Sequence, residues 1–249
     1  RTHQFAQLLR NIGIAAGERV LIRLPNSLDY PTAFLGAMKR GAISVPTSTL
    51  LTADEVVYLA KDSGAKVLVT DKAAWKTLRE GLNGVAGLTH VLLSGEGECL
   101  PADGLEVLDL SSSLEAIGTW DAPHQTKSDD PAYLVYTSGT TGRSKGAMLT
   151  HKNLGSNAQV LQKFWGWKKG DVLLHALPIF HVHGLFVAAH GALINGSKMI
   201  WLPRLDVAQL IKHMPQSTVM MGVPTFYVRL LADKGFNKKV ARNMRLFIS

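Results

Sequence analysis

The chain has 249 residues, 46% of them hydrophobic and 18% charged, enough to bury the core of one large domain or two modest ones. Its 27 Lys and Arg against 19 Asp and Glu give a formal charge of +8, but the basic residues are scattered rather than run together, which argues against a nucleic-acid partner and suits anionic small molecules. The single cysteine, Cys99, excludes an internal disulfide framework and a cysteine-based metal cluster, and it fits a reducing compartment such as the cytoplasm or, in a eukaryote, the mitochondrial matrix.

In chain order, Phe5, Leu8, Leu9 and Ile12 fall at helical spacing before Gly13, and Val20, Leu21, Ile22 and Leu24 form a short strand ending at Pro25. Thr52, Ala53, Asp54 and Glu55 spell a capping box, and Gly64 supplies a stop, so a helix is expected over 53–63. A strand at 67–69, a short helix at 75–80 and a strand at 90–93 follow, separated by Gly and Asp turn residues. From 94 to 130 the periodicity fades into Gly, Pro, Ser and Asp, which reads as a long surface connection with one strand at 105–110. Beyond it come a strand at 132–136, a Gly-rich loop, a helix at 152–164, a strand at 172–176 and a small-residue helix at 185–194. Two further pairs close the series: strand 198–202 with helix 207–213, and strand 218–222 with helix 225–231.

Strands alternating with helices predict an α/β fold of doubly wound, mostly parallel sheets covered by helices. The expected division is a first subdomain over 1–130, including the irregular connection, and a second over 131–249. The apolar stretch 185–194 is broken by His190 and Gly191 and falls short of the roughly 18 to 20 residues a membrane-spanning helix needs, so no stable membrane insertion is expected. Residues 1–10 lack the apolar core of a signal peptide, and 245–249 read as a strand cut off in mid-run, so the chain reads as an excised piece.

The densest chemical signal is the strand Tyr133, Leu134, Val135, Tyr136 running into Thr137, Ser138, Gly139, Thr140, Thr141, Gly142, Arg143, Ser144, Lys145, Gly146. Its glycines let backbone NH groups turn inward as an anion nest, the hydroxyls add donors, and Lys145 adds a mobile positive charge. Such a set suits a polyphosphate. It is not a Walker loop, which wants Gly-Lys followed by Ser or Thr, whereas here Ser144 precedes Lys145 and Gly146 follows it.

This segment resembles the phosphate-loop signature of the acyl-activating adenylate-forming enzymes, a family that includes acyl-CoA synthetases, luciferases and nonribosomal peptide adenylation domains. Leu177, Pro178, Ile179, Phe180 and His181 match the family's second motif, and Gly222, Val223, Pro224 and Thr225 its third. One departure is Ser144, where the family usually has proline; every phosphate donor remains. Residues 177–185 and 220–227 look most like the malonyl-CoA synthetase branch. The resemblance implies the front part of the family's N-terminal domain, without the mobile C-terminal domain. The family's aromatic-Gly-x-Thr-Glu segment, which contacts adenine and magnesium, has no counterpart, since the chain contains no Thr-Glu pair.

The implied activity of the parent protein is that of an acid–thiol ligase, joining malonate to coenzyme A through an acyl adenylate, with ATP, Mg2+ and coenzyme A taken up by the parent. By the same resemblance Thr137, Ser138, Gly139, Thr140, Thr141, Gly142 and Lys145 hold the nucleotide phosphates, Lys145, Thr140 and His181 serve catalysis, and His181 gates the thiol tunnel. His183, with Val223, Pro224 and Thr225, would line the acyl pocket, His183 meeting the second carboxylate of a dicarboxylic acid as a donor or cation or else simply packing. His175 and His190 are expected to pack, and no zinc site is expected at His181, His183 and His190, since no carboxylate or cysteine lies beside them. Trp165 and Trp167 read as core, and Gly170 with Asp171 is rejected as the family's ribose-binding pair because Lys168 and Lys169 precede it. Two alternatives stay open: a synthetase for another short, medium-chain or aromatic acid, and a fragment that binds phosphate anions without catalysis. The excised chain is expected to be inactive alone.

Overall fold

A computed structural model describes residues 1–137 and 144–249, which fall into two units, Arg1–Lys152 and Asn153–Ser249. The first unit is built on a seven-stranded sheet of order β5-β4-β3-β1-β2-β6-β7. Its strands are β1 (Arg19–Arg23), β2 (Ile43–Pro46), β3 (Val67–Asp71), β4 (His90–Ser94), β5 (Glu106–Asp109), β6 (Pro131–Thr137) and β7 (Lys145–Thr150). All pairings are parallel except β6 with β7. The central strands β1 to β4 are buried nearly end to end, as apolar runs without alternation require of a sheet covered on both faces.

Helices α1 (Thr2–Asn11), α2 (Asp29–Arg40), α3 (Ala53–Ser63), α4 (Lys72–Leu82) and α5 (Leu110–Glu115) cover this sheet. The capping box forms as its sequence predicts: the Thr52 backbone N–H donates to Glu55 Oε2 at 2.8 Å, and the Glu55 N–H donates to Thr52 Oγ1. Gly64 closes α3 in the left-handed conformation, where a side chain would be strained. The pair α2 and β2 has no counterpart in the sequence reading. Its signals were present, with Tyr30, Ala33, Phe34 and Ala37 buried at helical spacing and Gly41 as a left-handed cap. Gly36 lets α1 approach, since a Cβ there would sit 2.7 Å from Phe5 Cβ.

Two expectations change. β6 joins the first sheet through the Ser44↔Tyr133 register and carries β7 with it, so the units divide after residue 152 rather than 130. An apolar run such as 132–136 can dock on any free sheet edge, and periodicity carries no information about which. The irregular connection 94–130 also holds more structure than one strand: β5 leads into α5, capped by Asp109. Gln4 Nε2 donates to the Leu114 carbonyl, the His124 N–H donates to the Lys39 carbonyl, and Trp120 stacks on His3.

The second unit follows from α6 (His151–Phe164) and holds a four-stranded parallel sheet of order β11-β10-β8-β9. Its strands are β8 (Val172–His175), β9 (Lys198–Trp201), β10 (Val219–Met221) and β11 (Leu246–Ile248). The region expected as one helix at 185–194 begins as a π-helical segment, His183–Ala189, and continues as α7 (His190–Ile194); α8 (Val207–His213) and α9 (Pro224–Ala232) complete the unit. Met220, Met221, Trp167, Leu173, Leu174 and Phe226 share its core. No helix among the described residues is long and apolar enough to cross a membrane.

Asp171 stitches the N-terminal end of this sheet. It accepts from Arg245 Nε at 2.8 Å, from Thr218 Oγ1 at 2.8 Å and from the Lys168 N–H at 2.7 Å, joining the starts of β8, β10 and β11. Burial pushes the Asp171 carboxyl up, but Arg245 and the two further donors outweigh it and hold it down to about 2. A carboxylate depressed in the folded state stabilises above its unfolded pKa and loses that contribution as pH falls through the folded value. Asp171→Asn should therefore cost on the order of 2 kcal/mol at pH 7, and the gap from the parent protein should shrink as pH falls from about 4 to 2. Denaturant titration of both proteins at several pH values checks this; a gap independent of pH would contradict it.

Candidate functional site

The two ends of the Gly/Thr-rich segment are held by the β6–β7 hairpin. Thr137 stands opposite Lys145, Tyr136 opposite Gly146 and Val135 opposite Ala147. Thr137 and Lys145 are both exposed at the mouth of the hairpin. Ser138, Gly139, Thr140, Thr141 and Gly142, together with Arg143, lie outside the described residues. β7 is absent from the sequence reading because an exposed edge strand carries no apolar alternation. Gly146 lies close to Leu134: a Cβ there would sit 2.9 Å from Leu134 Cδ1 and push that methyl aside. Two phenols reach the stems, with Tyr58 Oη donating to the Ser144 carbonyl at 3.1 Å and Tyr136 Oη donating to Asp62 Oδ2 at 2.6 Å. Burial, then the bond to Asp62, pushes the Tyr136 phenol well above its usual range.

In the second unit the direction of travel across the sheet reverses between β8 and β10. The chain leaves β8 for β9 on one side and leaves β10 for β11 on the other, while β8 and β10 are neighbours. The loops after those two strands therefore part at their C-terminal ends, where open parallel sheets bind ligands. These connections are 176–182, with His181, and 222–223, with Val223, leading into Pro224 and Thr225 at the start of α9. His181 and Val223, well separated in sequence, thus follow adjacent strand ends. Val223, Pro224 and Thr225 are exposed, and Pro224 opens α9 where its missing N–H costs nothing. Asp171 lies at the opposite end of β8, tied up in the stitch, which gives the rejection of Gly170-Asp171 a geometric reason.

The loop after β8 is tightly wound. The His181 N–H donates to the Pro178 carbonyl, and the Leu185 N–H donates to the His181 carbonyl. Gly184 sits where a Cβ would be 2.2 Å from the Pro178 carbonyl oxygen, so only glycine permits this path into the π-helical segment. His181 is exposed and His183 half-buried. Burial, then the neighbouring His181, pushes the His183 imidazole down, so at neutral pH it offers a neutral ring with one N–H donor and one acceptor rather than a standing cation. His175, 1% exposed, packs against Trp201 at 4.6 Å, and burial followed by His183 lowers it to about 4. His190 lies edge-on to Phe186 and is lowered by burial to about 4. Among the described residues no group of three or more His, Cys, Asp or Glu side chains is placed to hold a metal ion.

The reading of the sequence missed Tyr58 and Asp62, which sit one turn apart on α3 and look like ordinary helix-surface residues until the fold brings β7 alongside.

Comparison with known proteins agrees with this geometry. The family model described as AMP-binding enzyme matches residues 1–249. The chain is 28% identical over 246 residues to a 4-hydroxybenzoate/benzoate–CoA ligase of Rhodopseudomonas palustris, covering 97% of the chain and 44% of that protein. It is 32% identical over 221 residues to the mitochondrial malonate–CoA ligase of Xenopus laevis, covering 86% of the chain and 36% of that protein. Among solved structures, apo MatB from Rhodopseudomonas palustris superposes with a TM-score of 0.88 at 36% identity, covering 100% of the chain and 47% of its own length, and an ATP-bound form of MatB matches at 0.87. The chain thus spans less than half the length of these relatives. Their folds match the doubly wound, mostly parallel architecture expected from the sequence.

Gly184→Ala should force the Pro178 carbonyl aside and cost about 1 to 3 kcal/mol, displacing His181 and His183. Gly191→Ala should be close to neutral, because its Cβ would meet only the Trp167 ring at 3.3 Å, a side chain that can give, and alanine favours the helix. Thermal denaturation of the two variants tests the contrast; equal losses would refute it.

Proposed function

Since the chain belongs to the AMP-binding enzyme family, we propose that it forms the front part of an acid–thiol ligase that activates malonate as an acyl adenylate and transfers it to coenzyme A. In the first step a malonate carboxylate oxygen attacks the α-phosphorus of ATP, and the bond from that phosphorus to the bridging oxygen breaks to release pyrophosphate. In the second the thiol sulfur attacks the acyl carbon and AMP leaves. The observation that carries this reading is the hairpin, which sets Lys145 opposite Thr137 at the mouth of a hydroxyl- and glycine-rich segment. Segment 138–142, with Ser138, Gly139, Thr140, Thr141 and Gly142, supplies NH and hydroxyl donors, and the Lys145 ammonium meets charge that develops on the departing pyrophosphate. Magnesium would share that charge; no step is assigned to it in this chain.

At the second sheet this reading assigns the thiol entrance to His181, exposed after β8, and the acid pocket to His183 with Val223, Pro224 and Thr225. A neutral imidazole suits malonate: its N–H donates to the distal carboxylate without demanding a counter-ion when the pocket is empty. The malonate–CoA ligase relative supports this substrate, and the benzoate–CoA ligase relative supports a second reading, an aromatic acid.

A panel of malonate, methylmalonate, acetate, butyrate and benzoate, assayed with the full-length protein by pyrophosphate release, decides the substrate; benzoate preferred over malonate would overturn the first reading. In the same assay His183→Leu should lower kcat/KM for malonate about ten- to a hundredfold while sparing or raising that for butyrate, because the distal carboxylate loses a specific donor. A parallel fall in both would remove His183 from selectivity. Lys145→Ala should slow pyrophosphate release about ten- to a hundredfold, the cost of one charge-assisted contact, without lowering the melting temperature, since Lys145 is exposed. An unchanged rate would exclude Lys145 from the first step.

A further inference from the structure

We propose that Tyr58 and Asp62 of α3 are positioning residues for the first half-reaction: together they hold the end of β6 and the start of β7, and so set where Thr137 and Lys145 stand. The proposal rests on the reading of segment 138–143 as the phosphate site. Tyr58 and Asp62 are four residues apart and share one face of α3. Tyr58 Oη donates to the Ser144 carbonyl, the peptide unit that leads directly into Lys145. Asp62 Oδ2 accepts from Tyr136 Oη, on the residue directly before Thr137. One helix therefore grips the chain immediately before and immediately after the segment.

The grip matters because the strand that carries Lys145 is an edge strand. β7 lies at the edge of the sheet with β6 as its neighbour there, and Lys145, Gly146, Ala147 and Met148 are exposed, so burial does not lock the strand. Ser144 has no ring to restrict its backbone, which leaves its carbonyl direction to the contacts it makes. The helix offering the contacts is rigid by comparison. It is closed at its start by the Thr52–Glu55 box and at its end by Gly64, and Val56, Leu59, Ala60 and Ser63 bury its inner face. The Tyr136–Asp62 bond is the stronger of the two, a short bond to an ionised acceptor, and the raised Tyr136 phenol keeps its proton to donate. Donors that must stabilise a transient charge act only if they are in place before it forms, so loosening either stem should slow phosphoryl chemistry more than it weakens the fold.

The second half-reaction supplies the control. Once pyrophosphate has left, the segment no longer carries its load, so transfer from a supplied acyl adenylate to coenzyme A should not need the grip. In the full-length protein, Tyr58→Phe should slow acid-dependent ATP–pyrophosphate exchange about three- to tenfold and Asp62→Ala about ten- to thirtyfold, mainly in kcat, with transfer from preformed acyl adenylate unchanged. Asp62→Asn keeps an acceptor oxygen for the Tyr136 phenol and should recover most of the exchange lost in Asp62→Ala. Exchange at the parental rate in both Tyr58→Phe and Asp62→Ala overturns the proposal, as does an equal fall in both half-reactions accompanied by a lower melting temperature. If the unaltered protein neither binds ATP by calorimetry nor exchanges pyrophosphate with any acid of the panel, the functional reading itself fails, and this proposal with it.

Discussion

A pair of parallel strands cannot be closed by a tight turn, because the chain must travel back the full length of the sheet before it can pair again. The layout of the second sheet follows from that constraint. Each strand of the second sheet delivers its following loop to the same C-terminal edge, and the reversal of strand order between the parallel neighbours β8 and β10 parts two of those loops. His181 lies in one and Val223 in the other, which leads into Pro224 and Thr225. The opposite edge is left for structure, and Asp171 with Arg245 and Thr218 closes it. Binding at one edge and stitching at the other let the loops vary while the strands keep their register.

The Gly/Thr-rich segment obeys a different rule. Its two ends are carried on an antiparallel strand pair at the edge of an otherwise parallel sheet. That placement exposes Thr137 and Lys145 to solvent. It also leaves the hairpin in need of support, which α3 provides through two phenol hydrogen bonds.

The histidines divide by burial rather than by spacing. His175 and His190 are packed against aromatic rings and strongly disfavour a proton, whereas His183 is only half-buried and His181 lies in the open. In the sequence His181, His183 and His190 look like one cluster. In the fold the π-helical path from His183 to Ala189 carries His190 into the packing while keeping His183 near the strand end. Gly184 makes that path possible, and its role appears only once the Pro178 carbonyl is beside it.

What the amino-acid sequence determined by itself was local. The capping box and Gly64 delimit α3 because their hydrogen bonds are made within a few residues. The apolar runs mark β1, β3, β4, β8 and β10 because burial on both faces demands them, and the density of hydroxyls and glycines over 137–146 announces an anion site whatever surrounds it. The pairing of distant segments was decided by the tertiary structure alone. β6 reads as the start of a second unit until Tyr133 aligns with Ser44, β7 is silent because its exposed residues need no pattern, and Tyr58 and Asp62 acquire a role only when the hairpin lies beside α3. Side-chain periodicity records whether a residue meets solvent or core, but not which strand or loop it will meet there, and that choice is made by the packing of the whole sheet.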